Sequence, residues 1–273
     1  MQNAGYGLIV PVWLYLHLAF SPTINDPLPT KLMASNPLPL STLPLSTILA
    51  FFIPNFLMSL TPGHALCADN STKQFYTAVS QFWPIILGGL QIILPIIISA
   101  AIPGINTLTE ENKKVKSLRY LRRCYAFALI STTCSHLIAF GIPLLAYFAP
   151  GLFGAPYLSQ LELSNMFVLR SPLPPVQHIA SIADGVLNFV QWDLLIGSVS
   201  VLVWAVTLRV KAQGRGFEGF EWIEGLVKVM ALVCLSGPVG AAVAVVWERD
   251  EHVFARATEL GDEGESDEER KNR

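Results

Sequence analysis

Charge is scarce in this chain. Of its 273 residues only 14% are Asp, Glu, Lys or Arg, where soluble domains carry about a quarter. The shortage is also uneven. Charge collects in blocks at 110–123, 209–224 and 248–273, with long stretches between that hold almost none. Other signatures are missing too. No Lys or Arg precedes the apolar run that begins at Gly5, so a secretory signal with its basic leader is not expected there and the first segment reads as a retained helix. No CxxC occurs among Cys67, Cys124, Cys134 and Cys234. The last three lie in or beside apolar stretches and read as small core residues. A basic face with interleaved aromatics is absent, which leaves no nucleic-acid partner.

Several chemistries lose their support in the same way. A Mg²⁺–diphosphate site needs grouped carboxylates, yet there is no DDxxD or NDxxD, and paired acids occur only at Glu110-Glu111 and in the tail. HExxH, the Walker A loop, haem and flavin signatures and the GxSxG elbow are all missing. The sequence therefore argues against metal-dependent prenyl chemistry and ATP-driven transport, and it names no cofactor.

What the chain has is apolar length. About 20 apolar residues cross a bilayer as a helix, and 52% of the chain is hydrophobic. The expected fold is all-α: a multispan transmembrane helical bundle of about six kinked helices. The spans fall near 5–20, 43–60, 82–101, 124–148, 188–208 and 225–247, within a transmembrane domain over 1–247. The acidic tail, 248–273, reads as disordered. Five spans carry internal proline (Pro11; Pro54; Pro84 with Pro95; Pro143; Pro238), and proline kinks a helix by removing a hydrogen bond. Kinked helices tend to leave a cavity, which suits an enzyme pocket or a transport path equally.

Basic residues set the orientation. Lys113, Lys114, Lys116, Arg119, Arg122 and Arg123 follow the third span, and Arg209, Lys211 and Arg215 follow the fifth. The opposite loops hold Lys73 and Arg170. The two basic loops are therefore placed in the cytosol. Simple alternation then puts both termini on the far side, against which five basic residues in the tail pull. One missed or re-entrant span would reconcile the two. Asn70-Ser71-Thr72 is a glycosylation sequon on the non-cytosolic side. The proline-rich stretch 21–44, with Leu-Pro-Leu-Ser-Thr repeated at 38–42 and 43–47, reads as an extended interfacial connector.

Ionisable groups inside a span cost about 2.5–3.5 kcal/mol on insertion scales, which makes them functional candidates. Asp193 is the foremost. At 100° per residue it shares a face with Gly197, Ser200 and Trp204, while Asp184, Asn188, Gln191 and Ser198 lie opposite. That first face could line a pocket for an apolar ligand. A desolvated carboxyl group favours its uncharged form and suits a general acid. The competing reading is an interfacial Asp against headgroups or a neighbouring helix. His136 lies mid-span beside Ser131, Thr132, Thr133 and Ser135, as interhelical glue or a pocket residue. His17 reads as interfacial, and Lys228 as a snorkelling side chain. Gln81, Gln91 and Asn55 either line the cavity or make packing hydrogen bonds.

Two stretches carry a resemblance. One is Gln191-Trp192-Asp193-Leu194-Leu195-Ile196-Gly197-Ser198-Val199-Ser200, running into Leu202-Val203-Trp204-Ala205. The other is Gly7-Leu8-Ile9-Val10-Pro11 through Leu14-Tyr15-Leu16-His17 and Ser21-Pro22. Together, and loosely from Pro54 to Pro95, they resemble fungal secondary-metabolite membrane-bound terpene cyclases of the ascofuranone type. The resemblance implies a metal-independent cyclase of a meroterpenoid-type pathway. Such a cyclase would protonate an epoxidised prenyl chain, and the reading of the residues themselves then makes Asp193 the candidate proton donor, with Gln191, Trp192 or His136 orienting it or steadying charge and Asp184 in reserve. The resemblance also implies an apolar prenylated substrate, other pathway enzymes as partners in the bilayer, and the endoplasmic reticulum as location. A transporter for an apolar metabolite and a non-catalytic membrane scaffold remain the alternatives.

Overall fold

The computed structural model describes residues 5–21, 24, 37–102, 109–171, 181–213 and 221–271. Most of the proline-rich connector, and Arg215 of the second basic loop, lie outside them. Among the described residues the protein is helical throughout, and the one β-bridge, His64 with Cys67, is isolated. Five helical stretches are long and apolar enough to cross a membrane: Leu38–Ser59, Trp83–Ala101, Asn112–Phe148, Ile182–Gln213 and Trp222–Ala255. Tyr6–Phe20 is a shorter apolar helix. This is a multi-pass membrane protein. The large apolar side chains left exposed, such as Ile85, Ile92, Ile138 and Leu194, match lipid as their surroundings. The chain divides into two compact units, Thr30–Phe127 and Met1–Pro29 with Ala128–Arg273.

In the unit 30–127, α2 (Leu38–Thr47), a π-helical turn (Ile48–Phe52) and α3 (Ile53–Ser59) form one continuous stretch. The sequence predicts extended chain through residue 44, but residues 38–47 are helical. Inside a membrane the backbone must satisfy its own polar groups, and a helix does so despite proline. The hydroxyls of the repeat also turn inward: Ser41 donates to the Leu38 carbonyl, Ser46 to Thr42 and Thr47 to Leu43. Pro44 has no N–H for the carbonyl of Leu40, four residues back. The Cys124 thiol donates to that carbonyl at 3.2 Å. Gln91 of α5 (Trp83–Ala101) donates to Ser46 at 2.7 Å and Thr42 at 3.3 Å, tying α5 to α2 through buried polar groups. Between them lies α4 (Asn70–Gln81), capped by Asp69, which accepts the Thr72 N–H at 2.7 Å. That backbone bond holds the Asp69 carboxyl below the usual range.

The chain continues through α6 (Glu110–Phe148), the short α7 (Ala155–Leu158) and α8 (Leu163–Phe167), α9 (Ile182–Gln213) and α10 (Glu221–Lys271). In the second unit α1 (Tyr6–Phe20) packs along α9. Tyr6 and Gly7 meet Asp193, and His17 meets Trp204. Both partners advance eleven residues between Tyr6–Asp193 and His17–Trp204, so the helices run parallel and in register.

The last helix folds back on itself. Gly237 interrupts it with φ 72° and ψ 171°, immediately before Pro238. Lys228 and Glu248, 20 residues apart, form an ion pair at 2.9 Å. Along a straight helix they would stand about 30 Å apart. Each is ten residues from Pro238, as a hairpin turning there requires. Val229 of the first arm packs against Ala242 and Val245 of the second, together with Ala205 of α9. The backbone remains helical to Lys271, through the segment whose composition predicts disorder.

Candidate functional site

Three consecutive residues of α9 reach in different directions. Gln191 donates to the carbonyls of Met166 at 2.7 Å and Asn165 at 3.2 Å. The Trp192 indole donates to the carbonyl of Arg170 at 2.9 Å. Together they pin the segment that contains α8 against α9. Asp193, 100° further round, turns to α1: its two carboxylate oxygens accept the N–H of Tyr6 at 2.9 Å and of Gly7 at 2.7 Å. The first N–H groups of a helix have no internal partner and lie at the positive end of its dipole, so a carboxylate is the fitting acceptor.

The contact depends on glycine. Gly5 has φ 79°, and a Cβ there would lie 2.5 Å from Asp193 Oδ1. A Cβ on Gly7 would lie 2.8 Å from the Asp193 carbonyl oxygen. One turn below, the Tyr6 ring occupies the space a side chain on Gly197 would need. Small residues let helix backbones approach this closely in membranes. The face of Asp193, Gly197 and Trp204 is therefore covered by α1. The hydrogen-bonding carboxylate against a neighbouring helix is the arrangement observed for Asp193. This long-range pairing links the two stretches that carry the family resemblance, and nothing in local sequence reveals it.

His136 lies mid-span on α6, where its Nε2 is 3.3 Å from the carbonyl of Cys234. That carbonyl ends the first arm of α10 and stands four residues before Pro238, which offers it no N–H. His136 therefore takes up a backbone acceptor that the hairpin leaves open. Gly237 gives the ring room, because a Cβ there would fall 2.9 Å from Nδ1. His136 also contacts the ring of Phe140 (centroids 4.6 Å apart), which stacks on Phe167 at 4.3 Å and 8°. A continuous aromatic and polar band thus runs from the α10 turn through α6 and α8 to Gln191.

The other sequence candidates fall elsewhere. Asp184 accepts from the Ser181 hydroxyl at 2.9 Å while its N–H donates to that oxygen, a capping arrangement at the start of α9. His17 accepts from the Trp204 indole at 3.1 Å. Gln91 packs in the other unit, and Asn55 donates to the Phe51 carbonyl. Lys228 pairs with Glu248, which also binds Arg209 at 3.0 Å. Asn70 is exposed in the first turn of α4. Sequence reasoning gave Asn188 no role, yet its Oδ1 is buried without a partner among the described residues, one turn before Gln191. No group of three or more potential metal ligands occurs among them either.

Fold and site together define an all-α multi-pass membrane protein with a carboxylate, an imidazole and stacked aromatic rings set between its helices. The comparisons carry the assignment further: residues 1–254 match the family described as the CtvD domain, and the chain belongs to that family. It is 27% identical to the terpene cyclase ascI of Acremonium egyptiacum, over 98% of this chain and 65% of that protein. It is 26% identical to the terpene cyclase penA of Penicillium crustosum, over 94% and 67%. The terpene cyclase ctvD of Aspergillus terreus is also 27% identical, over 92% and 65%. The chain thus spans about two thirds of the length of these relatives. Because ascI and ctvD are equally similar, the likeness is to the family as a whole rather than to an ascofuranone-type group within it. No solved structure matches.

Proposed function

We propose that this chain is a membrane-embedded terpene cyclase that closes rings on an epoxidised prenyl chain by protonation, without a metal. Family membership and the names of the relatives support the class. The observation that carries the chemistry is Asp193, held by two backbone N–H groups at the start of α1. A carboxyl group has about four lone-pair sites, so two accepted bonds leave room for a proton.

In the proposed step, the Asp193 hydroxyl gives its proton to the epoxide oxygen. The C–O bond at the more substituted carbon breaks, and its electrons become a hydroxyl lone pair. A π-bond of the chain then attacks the electron-poor carbon and closes a ring. The carboxylate left behind meets two N–H donors already in place, which stabilise the charge as it forms. Trp192, beside Asp193 along α9, carries a π-face of the kind that steadies a cation. Loss of a proton, or capture by a hydroxyl group of the substrate, ends the reaction.

The test is expression in a host that already makes a linear epoxy-prenyl aromatic precursor. A new product of unchanged mass, lost with Asp193→Asn at equal membrane levels, supports the reading. An unchanged precursor with accumulation inside the cells, relieved by the native chain, favours transport. No change of either kind favours a scaffold. The proposed membrane is the endoplasmic reticulum, with Asn70 as a luminal glycan acceptor. A glycosidase-sensitive gel shift that vanishes in Asn70→Gln checks both.

A further inference from the structure

We infer that α10 is a re-entrant hairpin: it enters the membrane from the basic side, reverses at Gly237 near mid-depth, and leaves by the side it entered. The tail from residue 248 then emerges beside Arg209 and Lys211, on the cytosolic face.

Three independent contacts fix the direction of the second arm. Against α9, Ala242 and Val245 lie beside Ala205, and Glu248 binds Arg209. Numbers rise together, so the second arm runs parallel to α9, toward its basic end. Against α6, Gly237 meets His136 and Gly240 meets Thr132. Numbers there run oppositely, which gives the same direction, because α6 runs from its basic end outward. Against the first arm, Lys228 binds Glu248. All three agree.

Depth follows from the same register. Arg209 is the first charged residue after the apolar stretch of α9 and marks the headgroup level. Gly237 precedes Ala242 by five residues and so lies level with Ser200, nine residues from Arg209. At 1.5 Å per residue that is about 14 Å, near the middle of a hydrocarbon core about 30 Å thick. The first arm gives the same figure, since Gly237 is nine residues on from Lys228.

A broken helix at that depth is tolerated only where protein covers the exposed backbone. The turn meets this condition. Ser236 and Ala241 are buried, Ser236 returns its hydroxyl to the Leu232 carbonyl at 2.7 Å, and His136 takes up the Cys234 carbonyl. At the mouth, Arg209 and Lys228 share Glu248. This places a carboxylate that a full crossing would strand on the far side among the basic residues of the near one. The five basic residues of the tail then also lie on the side the positive-inside rule demands.

The inference needs no enzymatic activity, so a failed cyclisation assay leaves it standing. The full-length chain is tested in microsomes with a glycosylation tag placed after Gln213 or after Arg273. Both tags are expected to stay unmodified and open to added protease. A glycosylated tag at Arg273 with an unmodified one after Gln213 overturns the hairpin. Depth is read at Cys234, with Cys67, Cys124 and Cys134 changed to Ser. Cys234 is expected to resist a membrane-impermeant maleimide from either face and to react after detergent solubilisation. Labelling from the luminal face in intact membranes overturns mid-depth reversal and makes each arm a complete span.

Discussion

Replacing Asp193 with Asn keeps the shape but leaves one oxygen where two accept the Tyr6 and Gly7 N–H groups, and the structure sets the size of the effect. A backbone donor stripped of its partner away from water costs about 1–3 kcal/mol. Asn retains one carbonyl oxygen, so one N–H of the Tyr6–Gly7 pair keeps a weaker bond. The other then faces an NH₂ group and goes unpaired. A net loss of about 2 kcal/mol corresponds to roughly a 30-fold rise in the detached population of the first turn of α1. Hydrogen exchange read by mass spectrometry in detergent micelles measures this directly, with α4 as an internal reference. Unchanged exchange in that turn would refute the clamp. Gly7→Ala separates anchoring from chemistry. Its Cβ crowds the Asp193 carbonyl oxygen at 2.8 Å and loosens α1, but the acid remains. If Asp193 also donates the proton, Asp193→Asn loses turnover by a further factor on the order of 10²–10⁴. Equal losses in the two variants would confine Asp193 to anchoring.

Other substitutions probe other parts. Gly197→Leu evicts the Tyr6 ring; overpacking of this kind costs about 1–3 kcal/mol, and the melting temperature in micelles should fall while the α4 cap is unaffected. His136→Leu leaves the Cys234 carbonyl without its partner, a loss of about 1–3 kcal/mol that thermal unfolding should register; a melting temperature within error of the native chain would contradict it. Gln191→Leu deletes both bonds to the 165–166 carbonyls and should speed proteolysis between residues 159 and 171 without changing exchange in α1. The Asp69 carboxyl is held below its ordinary value by the Thr72 backbone bond. A depressed value means that the cap is present above the usual carboxylate range and is lost as pH falls through the lowered one. Exchange in the first turn of α4 should therefore rise only on acidification below that range, and Asp69→Asn should flatten the dependence.

The spans were legible because lipid demands long apolar runs, and residues 82–101 and 188–208 provide them. Helix ends and partners were not legible. Asp193 stood out as an ionisable group in a span, but its partners lie 187 and 186 residues away, and no periodicity within α9 points to α1. The face it shares with Gly197 and Trp204 fits a pocket wall or a neighbouring helix equally by sequence, because small residues and an aromatic ring suit either. The hairpin had a local sign, the Gly237-Pro238 pair, but mean hydropathy is blind to direction: two arms and one crossing give the same apolar run. The prolines up to residue 44 predict extended chain, a preference that water permits and a membrane overrides from residue 38 onward.

The parallel pairing of α1 with α9 also sets a timetable for biogenesis. The Asp193 oxygens that hold the first turn of α1 are synthesised 187 residues after Tyr6. At about 5–20 residues per second, that delay is roughly 10–40 s. Throughout it α1 is in the chain without its mate, and its leading N–H groups lack the acceptor that Asp193 later supplies. Assembly of this half of the molecule is therefore closed by a late arrival, and slowing or stalling translation before residue 193 should leave α1 exposed to quality-control proteases.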